Sequence, residues 1–264
     1  MTLPTLYETA VGFGANFLDA LGIGSFATTT AAWKARNTIP DEKIPGTLNV
    51  GHAAPTIVEA LIFIRIVKVD VLTLVALILS ATLGAWLGAG IVGGWSRRRV
   101  QRGMAIALLI TAAIIVLRQI HVFPGGGDAL GLTGPLLVAG IVGNAILGAT
   151  MTLGVGLYAP CMGMVYLLGM TPLAAFPIMM GSCAVLMPVA SIRFAKAKAY
   201  DKRAALGLAI GGIPGVIIAA YLVKSLPLDV VRWLVVAVIL YTAISMWRSS
   251  LIATEAIAAE AATP

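Results

Sequence analysis

Two septets hold the residues best suited to chemistry in this chain: LGIGSFA at 21–27 and LGVGLYA at 153–159. Each sets a Gly-x-Gly pair, Gly22 with Gly24 and Gly154 with Gly156, just ahead of hydroxyl or thiol side chains: Ser25 and Thr28 in the first, Tyr158 and Cys161 in the second. Glycine enters positive-φ conformations without a steric penalty, so either pair can reverse the chain sharply. A helix that starts after such a reversal leaves its first N–H groups unpaired and its positive dipole end forward. Two such ends facing each other would hold an anion with largely neutral groups. A second set of candidates follows each septet. Asn49 and His52 lie in GTLNVGHAAP at 46–55, and Ser182 and Cys183 lie in GSCAV at 181–185. The imidazole of His52 could donate to an anion's oxygen or carry a coupled proton, its unperturbed pKa being about 6.5. Pro55 is expected to break the helix around it.

Asp19, Glu59 and Asn16 are the other polar groups in apolar surroundings. Asp19 stands two residues before the first reversal, where it is suited to bonding the loop backbone or to holding a proton. Cys161 and Cys183 show neither disulfide nor zinc spacing and read as small packing residues, with redox chemistry on a sulfur substrate as the alternative. No P-loop, H-E-x-x-H or G-x-S-x-G occurs, so no catalytic residue, metal site or cofactor is expected.

These residues must be held by elements that lie in a membrane. Of 264 residues, 59% are hydrophobic and 11% charged, and mean hydropathy is +0.99, whereas about a quarter of the residues in soluble domains are charged. The +7 net charge sits between apolar runs, where basic residues orient membrane proteins more often than they bind phosphate backbones. The RRRVQR run at 97–102 is read that way, and no nucleic-acid partner is expected. The start, with Glu8 and no basic region, does not read as a cleavable signal.

The septets also mark an internal repeat. An offset of 132 aligns Pro40 with Pro172 and Pro45 with Pro177, and an offset of 131 aligns Asp70 with Asp201, Gly84 with Gly215 and Val100 with Val231. Hence the expected organisation: an N-terminal repeat at 1–120, a Gly- and Pro-rich connector at 121–131, and a C-terminal repeat with a cytoplasmic tail at 132–264. Each repeat begins with an overlong segment (3–33 and 131–170) followed by three spans, at 44–64, 71–95 and 103–120, then at 172–192, 204–223 and 230–247. Residues 131–170 carry no charge, and forty residues of helix would be about 60 Å long, roughly twice the hydrocarbon thickness. Each overlong segment is therefore read as a re-entrant helical hairpin folded at its septet. If so, Lys34, Arg36, Lys43, Arg97, Arg98, Arg99, Arg102, Arg193, Lys196, Lys198, Lys202, Arg203 and Arg248, thirteen of the eighteen basic residues, collect on one face. Single crossings instead would split them evenly, so the positive-inside rule favours hairpins. The expected fold is an all-α polytopic membrane protein of two inverted repeats, each a re-entrant hairpin plus three transmembrane helices.

The Gly-x-Gly turns, Pro40 and Pro172, GTLN at 46–49 and GSCAV, VKVDV at 67–71 and YDKRA at 200–204, and the small-residue spans LGAWLGAGIVGG at 83–94 and GGIPGVIIAAYL at 211–222 resemble the TauE/SafE sulfite exporter family over nearly the whole chain. The resemblance implies transport of small sulfur-containing anions such as sulfite, thiosulfate, sulfoacetate or related organosulfonates, by a protein that is not an enzyme. The expected setting is the inner cell membrane with both termini cytoplasmic. The partners are the anion and the lipid bilayer, with room for proton or sodium coupling and for a homodimer. The alternatives are a membrane thiol enzyme using Cys161 or Cys183, a carboxylate transporter, or a non-transporting membrane partner protein.

Overall fold

The computed structural model describes residues 3–40, 43–91, 127–151 and 157–261, with 102, 105, 106, 108–110, 112, 113, 116, 117 and 120 between them. Helices dominate, and among the described residues there is no strand, only an isolated bridge between Ala129 and Met170.

Helix α1 (Leu6–Ala20) starts at a capping box: the Glu8 N–H donates to Thr5 Oγ1 at 3.3 Å and the Thr5 N–H to Glu8 Oε2 at 2.7 Å. It stops at the first septet, where Gly22 and Gly24 both have φ of +90°. Helix α2 (Ser25–Arg36) then runs back along it. The Tyr7 hydroxyl donates to the Ala32 carbonyl at 2.8 Å, and the Arg36 guanidinium lies 4.3 Å over the Tyr7 ring. The start of α1 and the end of α2 are thus neighbours, as a hairpin requires.

Next come α3 (Ile44–Ile66) and α4 (Val71–Ile91). The break expected at Pro55 is not found. The helix runs through it, because a proline forfeits one backbone bond and membrane helices absorb that loss locally. Helix α5 (Gly134–Met151) and helix α6 (Tyr158–Leu167) flank the second septet. Here too the chain returns to where it entered: the Ala129 N–H donates to Gly169 O at 3.3 Å and the Thr171 N–H to Ala129 O at 2.9 Å. A 3₁₀ turn (Pro172–Ala174) leads into α7 (Ala175–Lys196), followed by α8 (Lys202–Ser225) and α9 (Leu228–Ala261).

Polar contacts tie the two hairpin mouths to opposite ends of α3. At its start, the Asp201 N–H donates to Thr47 Oγ1 at 2.9 Å, and Arg203 pairs with Glu8 at 3.0 Å. The first hairpin therefore opens beside the α7–α8 connection. At the far end of α3, the Asp70 N–H donates to Leu130 O at 2.8 Å and the Leu132 N–H to Thr73 Oγ1 at 2.9 Å. The second hairpin opens there.

The main packing pairs are α1 on α8, α5 on α4, and α3 on both α7 and α8. Contacts recur with the halves exchanged. A methyl group on Gly84 would fall on the Ala145 backbone, and one on Gly215 would fall on the Phe13 backbone. Gly84 and Gly215 are 131 residues apart in sequence, Phe13 and Ala145 132 apart. Small residues give helices this close approach where lipid supplies no hydrophobic drive between them. Phe63 and Phe176 stack at 5.3 Å in the core between α3 and α7.

Gly46–Ile66, Gly134–Met151, Pro172–Lys196 and Lys202–Val223 are each long and apolar enough to cross a bilayer. Leu72, Leu79, Leu83, Trp86 and Leu87 on α4 are more than half exposed, the expected surface of a helix facing lipid. The protein is a multi-pass membrane protein. Helix α9 continues well past the expected span at 230–247 and takes in most of the tail. The span expected at 103–120 falls on residues described only in part, and Arg97, Arg98 and Arg99 lie outside the described residues.

Candidate functional site

The turn of the first hairpin packs against the returning helix of the second. Gly22 lies against the Met162 side chain of α6, and a cavity opens beside this contact. Ile23, Gly24, Ser25 and Phe26 line it from the first hairpin, Met151, Leu157, Tyr158 and Ala159 from the second, and Asp19, Cys183, Met187 and Thr242 complete the wall.

The tips differ in what they offer. At the head of α2, the Ser25 N–H donates to Asp19 Oδ1 at 2.6 Å, so the chain's own carboxylate occupies a first-turn donor. At the head of α6, Leu157 provides no side-chain cap. Pro160, in its first turn, brings no N–H. Tyr158 and Ala159, the first two residues of α6, line the cavity.

Of the residues singled out from the sequence, the cavity brings together Gly24, Ser25, Tyr158 and Cys183. A methyl group on Gly24 would meet nothing within 4 Å. The Tyr158 hydroxyl donates to Glu59 Oε2 at 3.2 Å, and the Cys183 thiol points to the Met151 sulfur at 3.8 Å. Both thiols are free and buried, and Cys161 lies outside the wall.

The others stand apart from it. Gly22 shapes the turn. The Thr28 hydroxyl donates to its own helix, to Ser25 O at 2.9 Å. Ser182 donates to Ile178 O at 2.7 Å and accepts from Asn144 at 3.2 Å. Asn49 is half-buried and already has a partner. His52 is fully buried, with Nδ1 3.1 Å from Asn16 Oδ1 and Nε2 3.0 Å from Thr29 Oγ1. Asn16 already donates its amide N–H to Gly12 O at 2.7 Å, so its oxygen is the acceptor. His52 therefore carries its proton on Nδ1 and accepts from Thr29 on Nε2. Both ring nitrogens are committed, and His52 braces α1 against α2 and α3. Gly154 and Gly156 lie outside the described residues.

Sequence reasoning did not single out Thr242, Met151 or Met187, and it did not join Glu59 to Tyr158. A bond between positions 99 apart in the chain leaves no local signal. Among the described residues no group of His, Cys, Asp and Glu could hold a metal ion.

Residues 136–263, just short of half the chain, match the family model described as Sulfite exporter TauE/SafE. The matched stretch takes in GSCAV at 181–185, YDKRA at 200–204 and GGIPGVIIAAYL at 211–222, three of the motifs that carry the resemblance. No curated protein and no solved structure matches the chain.

Proposed function

We propose that the protein is a secondary transporter of small sulfur-containing anions, sulfite, thiosulfate, sulfoacetate or other organosulfonates, held in the cavity between the hairpin tips. One observation carries the reading: a single cavity is lined by the turn of the first hairpin and by residues on either side of the second hairpin's turn. The family match over the C-terminal half supports the substrate class. The first turn of α6, at Tyr158 and Ala159, offers backbone donors for an oxyanion, and Ser25 and Thr242 add hydroxyls. The apolar remainder of the wall, Phe26, Leu157 and Met187 among it, suits a short carbon chain or a sulfur atom.

In this reading the two halves are inverted repeats. The hairpins opening beside opposite ends of α3 support it, as do the paired contacts Gly84–Ala145 and Gly215–Phe13. Rocking one half against the other exposes the fixed site to each side in turn. The basic end, with Arg36, Lys196 and Lys198, is cytoplasmic by the positive-inside rule, and both termini lie on it in the inner membrane.

The test is Gly24→Val in proteoliposomes loaded with radiolabelled thiosulfate or sulfite. The substitution forces a branched side chain to a φ of +90°, which costs about 1–2 kcal/mol, and it pushes two methyl groups into the cavity. Exchange is expected to fall at least tenfold while the protein stays folded and inserted. Exchange at the rate of the unmodified protein would remove the cavity from the account.

A further inference from the structure

Two carboxyl groups at the hairpin junction have no role in holding an anion; they would repel one. Asp19 is 3% exposed and lines the cavity, and Glu59 on α3 is fully buried. Tyr158 lines the same cavity as Asp19, and its hydroxyl donates to Glu59 Oε2 at 3.2 Å. The other oxygen, Glu59 Oε1, is buried with no hydrogen-bond partner among the described residues. An orphaned acceptor at this depth needs an explanation, and a carboxylate oxygen inside a membrane is costly unless a cation or a proton meets it.

No basic side chain among the described residues supplies that cation. The titratable groups around the pair are Tyr158 and Cys161 on α6, Cys183 on α7 and His52 on α3 itself. The hydroxyl of Tyr158 already points at Glu59. The Cys183 thiol points to Met151, and His52 is held on both nitrogens by Asn16 and Thr29. On α1 and α8 the nearest charged pair, Glu8 with Arg203, closes the mouth of the first hairpin, three helical turns from Asp19. On α2 the guanidinium of Arg36 lies over Tyr7 at that same mouth.

We propose that Asp19 and Glu59, linked through Tyr158, form the proton-carrying site of the transporter, so that an anion enters the cavity together with a proton lodged on this pair. The step is a protonation only. A proton from the aqueous phase forms an O–H bond on a carboxylate oxygen, the anion binds beside a pair with one negative charge fewer, and both leave together when the site opens to the other side. By linkage, whatever factor the proton contributes to anion affinity the anion returns to proton affinity. The inference rests on the transport reading above.

The experiment uses full-length protein in liposomes with thiosulfate, which has no proton to lose near neutral pH, at zero membrane potential set by potassium and valinomycin. Anion content and internal pH are followed together. A gradient of one pH unit is expected to drive about tenfold accumulation for each coupled proton, with the lumen acidifying as anion enters. Glu59→Gln is expected to keep thiosulfate exchange and to lose pH-driven accumulation, and Asp19→Asn to lose the accumulation too. Tyr158→Phe keeps the ring and removes the link, giving an intermediate loss. If either carboxyl variant fails to fold, as judged by gel filtration in detergent, the other decides. PH-driven accumulation of wild-type size in a folded carboxyl variant overturns the proposal, as does wild-type accumulation that follows a sodium gradient and ignores pH. Exchange without any pH drive sinks the proton site and leaves the transport reading standing. Absence of thiosulfate and sulfite exchange in the wild-type protein sinks both.

Discussion

Gly84→Ala is a minimal change with a large expected consequence. An added Cβ would land on the carbonyl of Ala145 in α5, and a backbone carbonyl held in a helix cannot swing aside as a side-chain tip can. The two helices must separate, and overpacking of this kind costs about 1–3 kcal/mol. Against it stands the gain of about 0.5–1 kcal/mol from replacing glycine inside a helix. With backbone as the obstacle the upper part of the first range applies, leaving a net loss of about 1–2 kcal/mol. For a chain of this size that is about 2–8 °C in Tm. Gly14→Ala is the internal reference. It sits on α1, nothing lies within 4 Å of its added Cβ, and only the propensity gain remains. The two substitutions should move Tm in opposite directions in a tryptophan-fluorescence melt of detergent-purified protein. Gly215→Ala, which meets Phe13 in the exchanged position, should follow Gly84→Ala. A Gly84→Ala variant that melts above wild type, as Gly14→Ala should, would refute the close α4–α5 approach.

Two further expectations concern polar groups. His52→Ala should lower stability by about 2–5 kcal/mol, because it leaves Asn16 Oδ1 and Thr29 Oγ1 unpaired in the interior and opens a space beside Phe26; a melt within 1 °C of wild type would contradict the bracing role. Asp70 accepts from the Thr73 N–H at 2.8 Å and the Thr73 hydroxyl at 2.9 Å, and these bonds hold its carboxyl below the usual 3.8. A lowered folded-state value stabilises above the unfolded value and is lost as pH falls through the folded one. The Tm difference between wild type and Asp70→Asn should therefore be present at pH 6 and shrink below pH 3.8.

The hairpins were legible because their signals are local. Forty uncharged residues cannot be one crossing, and Gly22 and Gly24 are the residue type that a φ of +90° demands. The end of α3 near Ile66 and the start of α8 near Lys202 also follow from charge and hydropathy. The uninterrupted course of α3 through Pro55 could not be read off, since tolerance of a proline depends on the neighbouring helices. Ser25 and Tyr158 could be singled out as first-turn residues of helices that start after a turn, and both line the cavity. His52 could not be placed in the same way: an isolated imidazole in apolar sequence reads as functional, and only Asn16 on α1 and Thr29 on α2 show that both its nitrogens are taken. The Glu59–Tyr158 bond joins the two halves of the chain, and no periodicity or spacing encodes such a contact.

The claim beneath all of this is that both overlong segments return to the face they entered from, on opposite sides of the bilayer. In a background with Cys161 and Cys183 replaced by serine, single cysteines at Arg36, Lys198, Lys68 and Asp128, all exposed, can be reacted with an impermeant maleimide in right-side-out and inverted vesicles. The account predicts that positions 36 and 198 label from one face and positions 68 and 128 from the other. Labelling of positions 36 and 198 from opposite faces would contradict it.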